Sequence, residues 1–195
     1  DEYRVPAMIL ADGLLGQMME PVSFPEINAD SHDKSGWTAN GHGKKREHHI
    51  INSLYLKPDE LENSVTERFK RYETIKANET DAELYLTEDC DILLCAFGAT
   101  ARVVKSAVNS ARDMGIKAGL FRPKTLFPFP VKEINKASEN AKKLLSVEMS
   151  MGQMIDDIKL AINCSKPVEF YGRTGGVIPT PAEVLEQIKK VGGAL

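Results

Sequence analysis

The sequence of 195 residues lacks the marks of secreted, membrane or nucleic-acid-binding proteins. Its three cysteines, an odd number without a CxxC pair, favour reduced thiols and cannot complete a four-cysteine iron–sulfur site. No apolar run approaches the roughly 18 residues of a membrane span, and the N-terminus lacks the pattern of a signal peptide. A net charge of −3 gives no electrostatic reason to expect binding to nucleic acid or anionic membranes. We therefore expect a cytoplasmic protein.

The sequence also lacks an obvious catalytic, cofactor-binding or metal-binding set. All four histidines lie in a polar N-terminal stretch: His32, His42, His48 and His49. Interleaved basic residues such as Lys44 and Arg46 would repel a cation, so a solvated loop explains these histidines better than a metal site. The glycine pattern matches neither GxGxxG nor GxxxxGK[ST]. We predict no catalytic, cofactor-binding or metal-ligating residue in this chain.

A β-α-β pattern over residues 91–130 is the strongest structural signal. The apolar run 92–97 predicts a buried strand with Cys95 in the core, and Gly98 permits a tight turn before a helix capped by Thr100. Gly115 would end that helix, and the run 116–121 predicts a second, parallel strand. The inward face of the helix is predicted to hold Val104, Ala107, Val108, Ala111 and Met114.

The same alternation continues towards the C-terminus. We predict an edge strand at 83–86, further strands at 144–149 and 166–171, and helices after Pro130, after Ser150 as cap, and after a Thr180–Glu183 capping box. The inward side chains of these helices are predicted to include Val131, Ile134, Ala137, Met151, Met154, Ile155, Ile158, Ile162, Val184, Leu185, Ile188 and Val191. Residues 81–195 are therefore predicted to form a three-layer α/β/α domain with a mainly parallel sheet.

Residues 1–80 are predicted to precede that domain as a separate, less regular part. Residues 3–10 read as a strand, 14–20 as a short helix, and 21–49 show no sustained period. After Pro58, acidic residues in the first turn and a narrow apolar stripe predict a linking helix of about 18 residues. Trp37 is equally compatible with an anchor on the chain's own surface and with a partner contact.

The carboxyl ends of the parallel strands define the candidate functional edge, because ligands and partners of open α/β sheets bind there. The candidates predicted at this edge are Arg122, Glu148, Gly152, Gln153, Arg173, Thr174, Gly175 and Gly176. We favour a partner or supporting surface. A direct anion or cofactor site, and ordinary β–α turns with a local ion pair between Glu148 and an arginine, remain open.

Several stretches resemble a known family. They are FGATARVVKSAVNSAR (97–112), GLFRPKTLFPFP (119–130), SVEMSMGQMIDDIKLA (146–161) and GRTGGVIPTPAEVL (172–185). Together they are similar to the second, transketolase C-terminal-like domain of 2-oxoacid:ferredoxin oxidoreductase α subunits, most of all the 2-oxoisovalerate and 2-oxoglutarate types. Residues 3–22 look like the end of that subunit's pyrimidine-binding domain, and GWTANGHG (36–43) resembles the segment that follows it.

The resemblance implies the C-terminal part of the α subunit of an enzyme that decarboxylates a 2-oxoacid on thiamine diphosphate. Electrons pass through iron–sulfur clusters to ferredoxin, and an acyl-CoA is formed. The implied complex contains magnesium, a β subunit and, as further candidates, γ and δ subunits. No catalytic residue of the family transfers to this chain, so its implied role is assembly, and the isolated chain is expected to be inactive.

Other interpretations remain open. A 2-oxoacid dehydrogenase E1 β chain or a transketolase-like enzyme would share the C-terminal fold but would not reduce ferredoxin directly. A free-standing scaffold module without enzymatic role is the alternative from a different class. A flavodoxin-like nucleotide binder is the third.

Overall fold

The computed structural model describes residues 1–19, 21–24, 26 and 33–193. In chain order the elements are α1 (Gly13–Gln17), α2 (Pro58–Asn78), β1 (Ala82–Tyr85), β2 (Ile92–Cys95), α3 (Gly98–Asp113), β3 (Ala118–Pro123), α4 (Val131–Ser138), β4 (Lys143–Glu148), α5 (Met154–Ala161), β5 (Val168–Gly172) and α6 (Pro181–Gly192). In the part of the chain so described, none of the helices combines the length and apolar character needed to span a bilayer.

The strands form one sheet in the order β1-β3-β2-β4-β5. Strand β1 runs antiparallel to β3, whereas β2, β3, β4 and β5 are mutually parallel. Leu94, in the central strand β2, stands opposite Leu120 on one side and Leu145 on the other. The predicted mainly parallel sheet, with its edge strand near residue 83, is confirmed.

Successive side chains of the buried strands point to opposite faces of the sheet and form two hydrophobic cores, one on each face. Ile92 and Leu94 pack with α3 and α6, whereas Leu93 and Cys95 pack with α4 and α5. Because side chains on a strand point alternately to opposite faces, a strand buried on both faces reads as a continuous apolar run. The three-layer α/β/α prediction is confirmed, and so is the core position of Cys95, which is 0% exposed.

Several predicted helix termini are corrected. Helix α3 begins at Gly98, and Thr100 is buried inside its first turn instead of capping it. Helix α5 begins at Met154, which leaves Met151 83% exposed before the helix rather than on its inward face. Met114 follows α3 and Val131 opens α4, and both are exposed at the helix ends rather than on an inward face.

The chain divides into two compact units, Asp1–Ile9 with Met19–Ile75, and Leu10–Met18 with Lys76–Leu195. The domain assignment of 1–80 and 81–195 stays a prediction. The strand predicted over 3–10 is wrong, since these described residues form none. A strand needs a ladder partner, and Pro6 also removes one backbone donor.

Both predicted N-terminal helices are present, but their first and last residues differ from the prediction. Helix α1 has 5 residues and is capped by Asp12, whose side chain accepts a hydrogen bond from the Leu15 N–H. The predicted end at Glu20 lies outside the described residues, as does His32. Helix α2 has 21 residues, slightly more than predicted.

Candidate functional site

The parallel register brings the carboxyl ends of the strands to one edge of the sheet. Cys95, which ends β2, stands opposite Phe121 of β3 and Ser146 of β4, and Glu148 at the end of β4 stands opposite Gly172 at the end of β5. The turns that follow β4 and β5 therefore lie side by side. We call the segments 149–153 and 173–178 the C-terminal rim.

Glu148 is the most heavily coordinated side chain at this edge. It is 2% exposed and accepts hydrogen bonds from the hydroxyls of Ser146 at 2.8 Å and Ser150 at 2.9 Å. Three backbone N–H groups also donate to it, from Gln153 at 2.9 Å, Met154 at 3.1 Å and Ile155 at 3.0 Å. The carboxylate thus caps α5 from the preceding strand, a role that we had expected Ser150 to fill.

The hydrogen bonds decide the charge state of Glu148. Burial favours the protonated form, but the bonds from the Gln153 N–H and the Ser146 and Ser150 hydroxyls outweigh it and hold the pKa of this carboxyl below its usual value. The negative charge also faces the positive end of the dipole of α5. Glu148 is therefore an ionised carboxylate whose hydrogen bonds are satisfied within the chain and fix the β4–α5 turn.

Glycine and serine complete the β4–α5 turn. The Ser150 hydroxyl accepts from the Gly152 N–H at 3.1 Å, and Gly152 has a φ of +103°, where a side chain would be strained. A Cβ at Gly172 would lie 2.4 Å from the Ser150 carbonyl oxygen and 2.5 Å from the Phe170 ring, so the β4 and β5 turns approach each other as closely as backbone allows. These contacts make the rim a defined surface.

Arg122 lies apart from Glu148 and pairs with the edge strand. Its guanidinium is 3.0 Å from Glu83, which also accepts from the Lys105 ammonium at 2.7 Å. The Lys105 hydrogen bond, assisted by Arg122, lowers the pKa of Glu83. The ion pair that we left open between Glu148 and an arginine is not found among the described residues. Arg122 instead ties β3 to β1 and α3.

Arg173 orders the loop after β5. Its backbone N–H donates to the Glu148 carbonyl at 3.0 Å, and its guanidinium is 3.5 Å from Glu183. Glu183 also belongs to the predicted capping box, in which its N–H donates to the Thr180 hydroxyl at 3.2 Å and its carboxylate accepts from the Thr180 N–H at 2.7 Å. The capping box with Pro181 at the first helical position is confirmed.

Of the predicted rim residues, Gln153, Thr174, Gly175 and Gly176 are exposed, and Gly152 and Arg173 are half-buried. Exposed apolar side chains accompany them: Met151 at 83%, Val177 at 45% and Ile178 at 37%. The sequence pattern predicts Met151 on an inward helix face and assigns no position to Val177 or Ile178. The signal that could have predicted their exposure is their position among glycines and other turn residues, because an apolar side chain in a surface turn is not directed to the core by a helix or strand.

The described part of the chain shows no grouping of three or more metal-ligating side chains. His42 and His48 lie with ring centroids 4.2 Å apart, and the Lys44 N–H donates to His42. Burial raises the pKa of Cys90 to about 11 and raises that of Cys95 further, whereas Cys164 is exposed. Three cysteines are one too few for a four-cysteine iron–sulfur cluster.

Comparison with known proteins identifies relatives for this fold. Residues 90–184 match the family model of pyruvate:ferredoxin oxidoreductase core domain II. The ketoisovalerate oxidoreductase subunit VorB of Methanothermobacter marburgensis is 42% identical over 193 residues, which cover 99% of this chain and 54% of that protein. The 2-oxoglutarate synthase subunit KorA of the same organism is 29% identical over 213 residues, covering 96% of this chain and 57% of that protein.

A solved structure shares the fold. The 2-oxoglutarate:ferredoxin oxidoreductase from Magnetococcus marinus, with 2-oxoglutarate, coenzyme A and succinyl-CoA bound, superimposes with a TM-score of 0.59 at 22% identity. The match covers 87% of this chain and 28% of that one. The chain spans about half the length of the curated relatives that it matches. The α/β unit thus matches core domain II of pyruvate:ferredoxin oxidoreductase over residues 90–184, and nearly all of this chain is similar to about half of a ketoisovalerate oxidoreductase subunit.

Proposed function

We propose that this chain is the C-terminal portion of the α subunit of a 2-oxoacid:ferredoxin oxidoreductase of the 2-oxoisovalerate type. The observation that carries the proposal is the 42% identity to the ketoisovalerate oxidoreductase subunit across 99% of the chain, against 29% to the 2-oxoglutarate synthase subunit. The complete enzyme would decarboxylate a branched 2-oxoacid oxidatively in the cytoplasm, yield an acyl-CoA and pass two electrons to ferredoxin.

The contribution of this chain is assembly rather than bond chemistry. Its three cysteines are one too few for a four-cysteine iron–sulfur cluster, and the buried carboxylate of Glu148 already accepts five hydrogen bonds from within the chain. Thiamine diphosphate, magnesium and the iron–sulfur clusters are then held by other parts of the complex, namely the preceding domain and the β subunit, with γ and δ subunits as further candidates. Ferredoxin and CoA would reach the complex through those parts.

The C-terminal rim is the surface that we assign to this assembly. Met151, Val177 and Ile178 expose apolar area on turns that are otherwise fixed by the Glu148 cap and by Arg173. Apolar side chains on a rigid surface can bury area against a partner with little loss of conformational entropy. A misplacement of about 1 Å at a reacting centre can lower the rate about 100-fold, so a rigid docking surface contributes to catalysis without contacting substrate.

The function is tested by co-expressing the complete subunit with its neighbouring genes and purifying the complex without oxygen. Reduction of ferredoxin or viologen is then measured with CoA and either 2-oxoisovalerate, pyruvate or 2-oxoglutarate. The proposal predicts the highest kcat/KM with 2-oxoisovalerate. A complex that needs a dithiol-linked carrier instead of ferredoxin would indicate the E1 β alternative, and a chain without partner or activity would support the scaffold alternative.

The rim is tested by a matched pair of substitutions in the complete subunit. Met151→Asp places a charge on the rim, while Leu160→Asp places the same charge on an equally apolar position of α5, 74% exposed. We expect Met151→Asp to reduce recovery of the β subunit in a pull-down and Leu160→Asp to leave it unchanged. Equal recovery with both variants would remove the rim from the interface.

A further inference from the structure

A cavity lined by arginines lies within the compact unit formed by Asp1–Ile9 and Met19–Ile75. It is open and has a volume of about 330 Å³. Its polar lining side chains are Arg4, Ser64, Arg68, Arg71 and Tyr72. The last four recur at positions i, i+4, i+7 and i+8 of α2, so they share one face of that helix, and Arg4 comes from the N-terminal segment. We call this space the arginine cavity.

The positive charge of the arginine cavity is not balanced within the described part of the chain. Neither Arg68 nor Arg71 makes a side-chain hydrogen bond or ion pair there, and the cavity lining includes no described carboxylate. The Arg4 guanidinium stacks on Trp37, 5.0 Å from the ring centroid.

Three arginines of the α/β unit, in contrast, pair with carboxylates. Arg112 lies 2.7 Å from Asp89, and Arg122 and Arg173 pair with glutamates at 3.0 Å and 3.5 Å. Three guanidinium groups around one concave space repel one another, and an anion among them removes that repulsion. The contrast singles out the arginine cavity as a place that is complementary to negative charge.

The backbone of Arg4 adds a second feature. Its φ is +52°, a left-handed conformation that is unfavourable for a residue with a Cβ. Residues held in this region are frequent at ligand clamps, where the surrounding structure compensates the strain. Stacking on Trp37 is the contact that holds the Arg4 side chain in place.

We propose that the arginine cavity binds a phosphate group, either inorganic phosphate or the phosphate of a small phosphomonoester. The planar guanidinium fork matches the oxygens of phosphate and forms short, charge-assisted hydrogen bonds. The hydroxyl of Ser64, on the same helix face, supplies a further donor. The volume leaves room for the organic part of a phosphomonoester beside the phosphate. This inference does not depend on the proposed function.

The proposal is tested by isothermal titration calorimetry of the 195-residue chain at neutral pH and low ionic strength. The titrants are inorganic phosphate, glycerol 3-phosphate and, as a neutral probe, glycerol. We expect both phosphates to bind and glycerol not to bind. Tighter binding of glycerol 3-phosphate would identify a phosphomonoester site, and equal binding would identify a site for the phosphate ion itself. Absence of binding by both phosphates would overturn the proposal.

Variants separate a built site from general attraction to a positive surface. Arg68→Gln combined with Arg71→Gln is expected to weaken phosphate binding at least about tenfold, because two charge-assisted contacts are lost. Lys70→Gln changes the charge of the same helix outside the cavity, where Lys70 pairs with Glu67 at 2.6 Å, and is expected to leave affinity within about twofold.

Arg68→Lys combined with Arg71→Lys retains both positive charges without the planar guanidinium group and should bind phosphate with intermediate affinity. It also replaces the glutamine variant if circular dichroism shows that the glutamine variant is unfolded. An equal loss in Lys70→Gln, or full affinity in both double variants, would overturn the proposal.

Discussion

The buried carboxylate of Glu148 makes the sharpest prediction about stability. In Glu148→Gln the side chain keeps its size but loses its charge, and one of its two oxygens becomes an NH₂ group. If the NH₂ takes the place of Oε1, it faces the N–H of Ile155, a donor that then lacks an acceptor in a buried position. The other oxygen keeps its contacts with Ser150, Gln153 and Met154, now without charge assistance.

The size of the effect follows from these contacts. A buried donor without a partner costs about 1–3 kcal/mol, and hydrogen bonds to a charged group exceed neutral ones by about 1 kcal/mol. Loss of the favourable interaction with the dipole of α5 adds roughly 0.3–1 kcal/mol. Because contributions within one network are not additive, we expect a decrease in the free energy of unfolding of about 3 kcal/mol. This corresponds to a fall in Tm of roughly 6–12 °C for a chain of this size.

The assay is urea and thermal unfolding followed by circular dichroism, with Glu169→Gln on the exposed face of β5 as the control. The control should change the free energy of unfolding by less than about 0.5 kcal/mol. A loss of under about 0.5 kcal/mol in Glu148→Gln as well would refute the assignment of Glu148 as the ionised cap of α5.

The pH dependence of the same difference gives an independent check. The pKa of Glu148 is lower in the folded chain than its ordinary value of 4.5, so the unfolded chain binds the proton more tightly. The stabilisation by the charged form is therefore complete above 4.5 and is lost as the pH falls below it towards the folded pKa. The gap in stability between the wild type and Glu148→Gln should narrow over that acidic range. A gap independent of pH would contradict the charge assignment.

Three further predictions concern packing, capping and thiol reactivity. Gly172→Ala should lower the Tm strongly, because its Cβ would lie 2.4 Å from the Ser150 carbonyl oxygen. In the control Gly16→Ala the new Cβ meets no atom within 4 Å, so the Tm should change little. Equal Tm values for the two variants would show that the β4 and β5 turns are further apart. Thr180→Ala should lower the free energy of unfolding by about 1 kcal/mol in urea titrations, since the capping box is lost, and an unchanged midpoint would argue against the box. Cys164 is exposed and should react quickly with a thiol reagent at neutral pH. Cys90 and Cys95 should react only after unfolding, because burial raises their pKa values. Three fast-reacting thiols in the folded chain would contradict the position of these two cysteines in the core.

Local patterns were sufficient to predict the α/β fold. A few neighbouring residues define each of three features: the buried run at 92–97, the turn at Gly98 and the Thr180–Glu183 capping box. The strand predicted over 3–10 failed because a strand also depends on a neighbour, which no local pattern reveals.

The candidate site was predicted less completely than the fold. Topology alone places the turns after β4 and β5 at one edge, so the positions of Gln153 and Arg173 followed from the order of the elements. The roles of the charged side chains did not follow. Ser150 and Glu148 are both suitable caps by residue type, and the choice depends on a carboxylate reaching three backbone N–H groups several residues ahead. The pairing of Arg122 with Glu83 depends on a strand partner 39 residues away.

The most direct test of the proposed function is the substrate dependence of ferredoxin reduction by the complete complex, purified without oxygen and assayed with CoA. The account predicts that 2-oxoisovalerate gives the highest kcat/KM, ahead of 2-oxoglutarate and pyruvate. A complex with no ferredoxin or viologen reduction on any 2-oxoacid, although its cofactors are bound, would contradict the proposed activity.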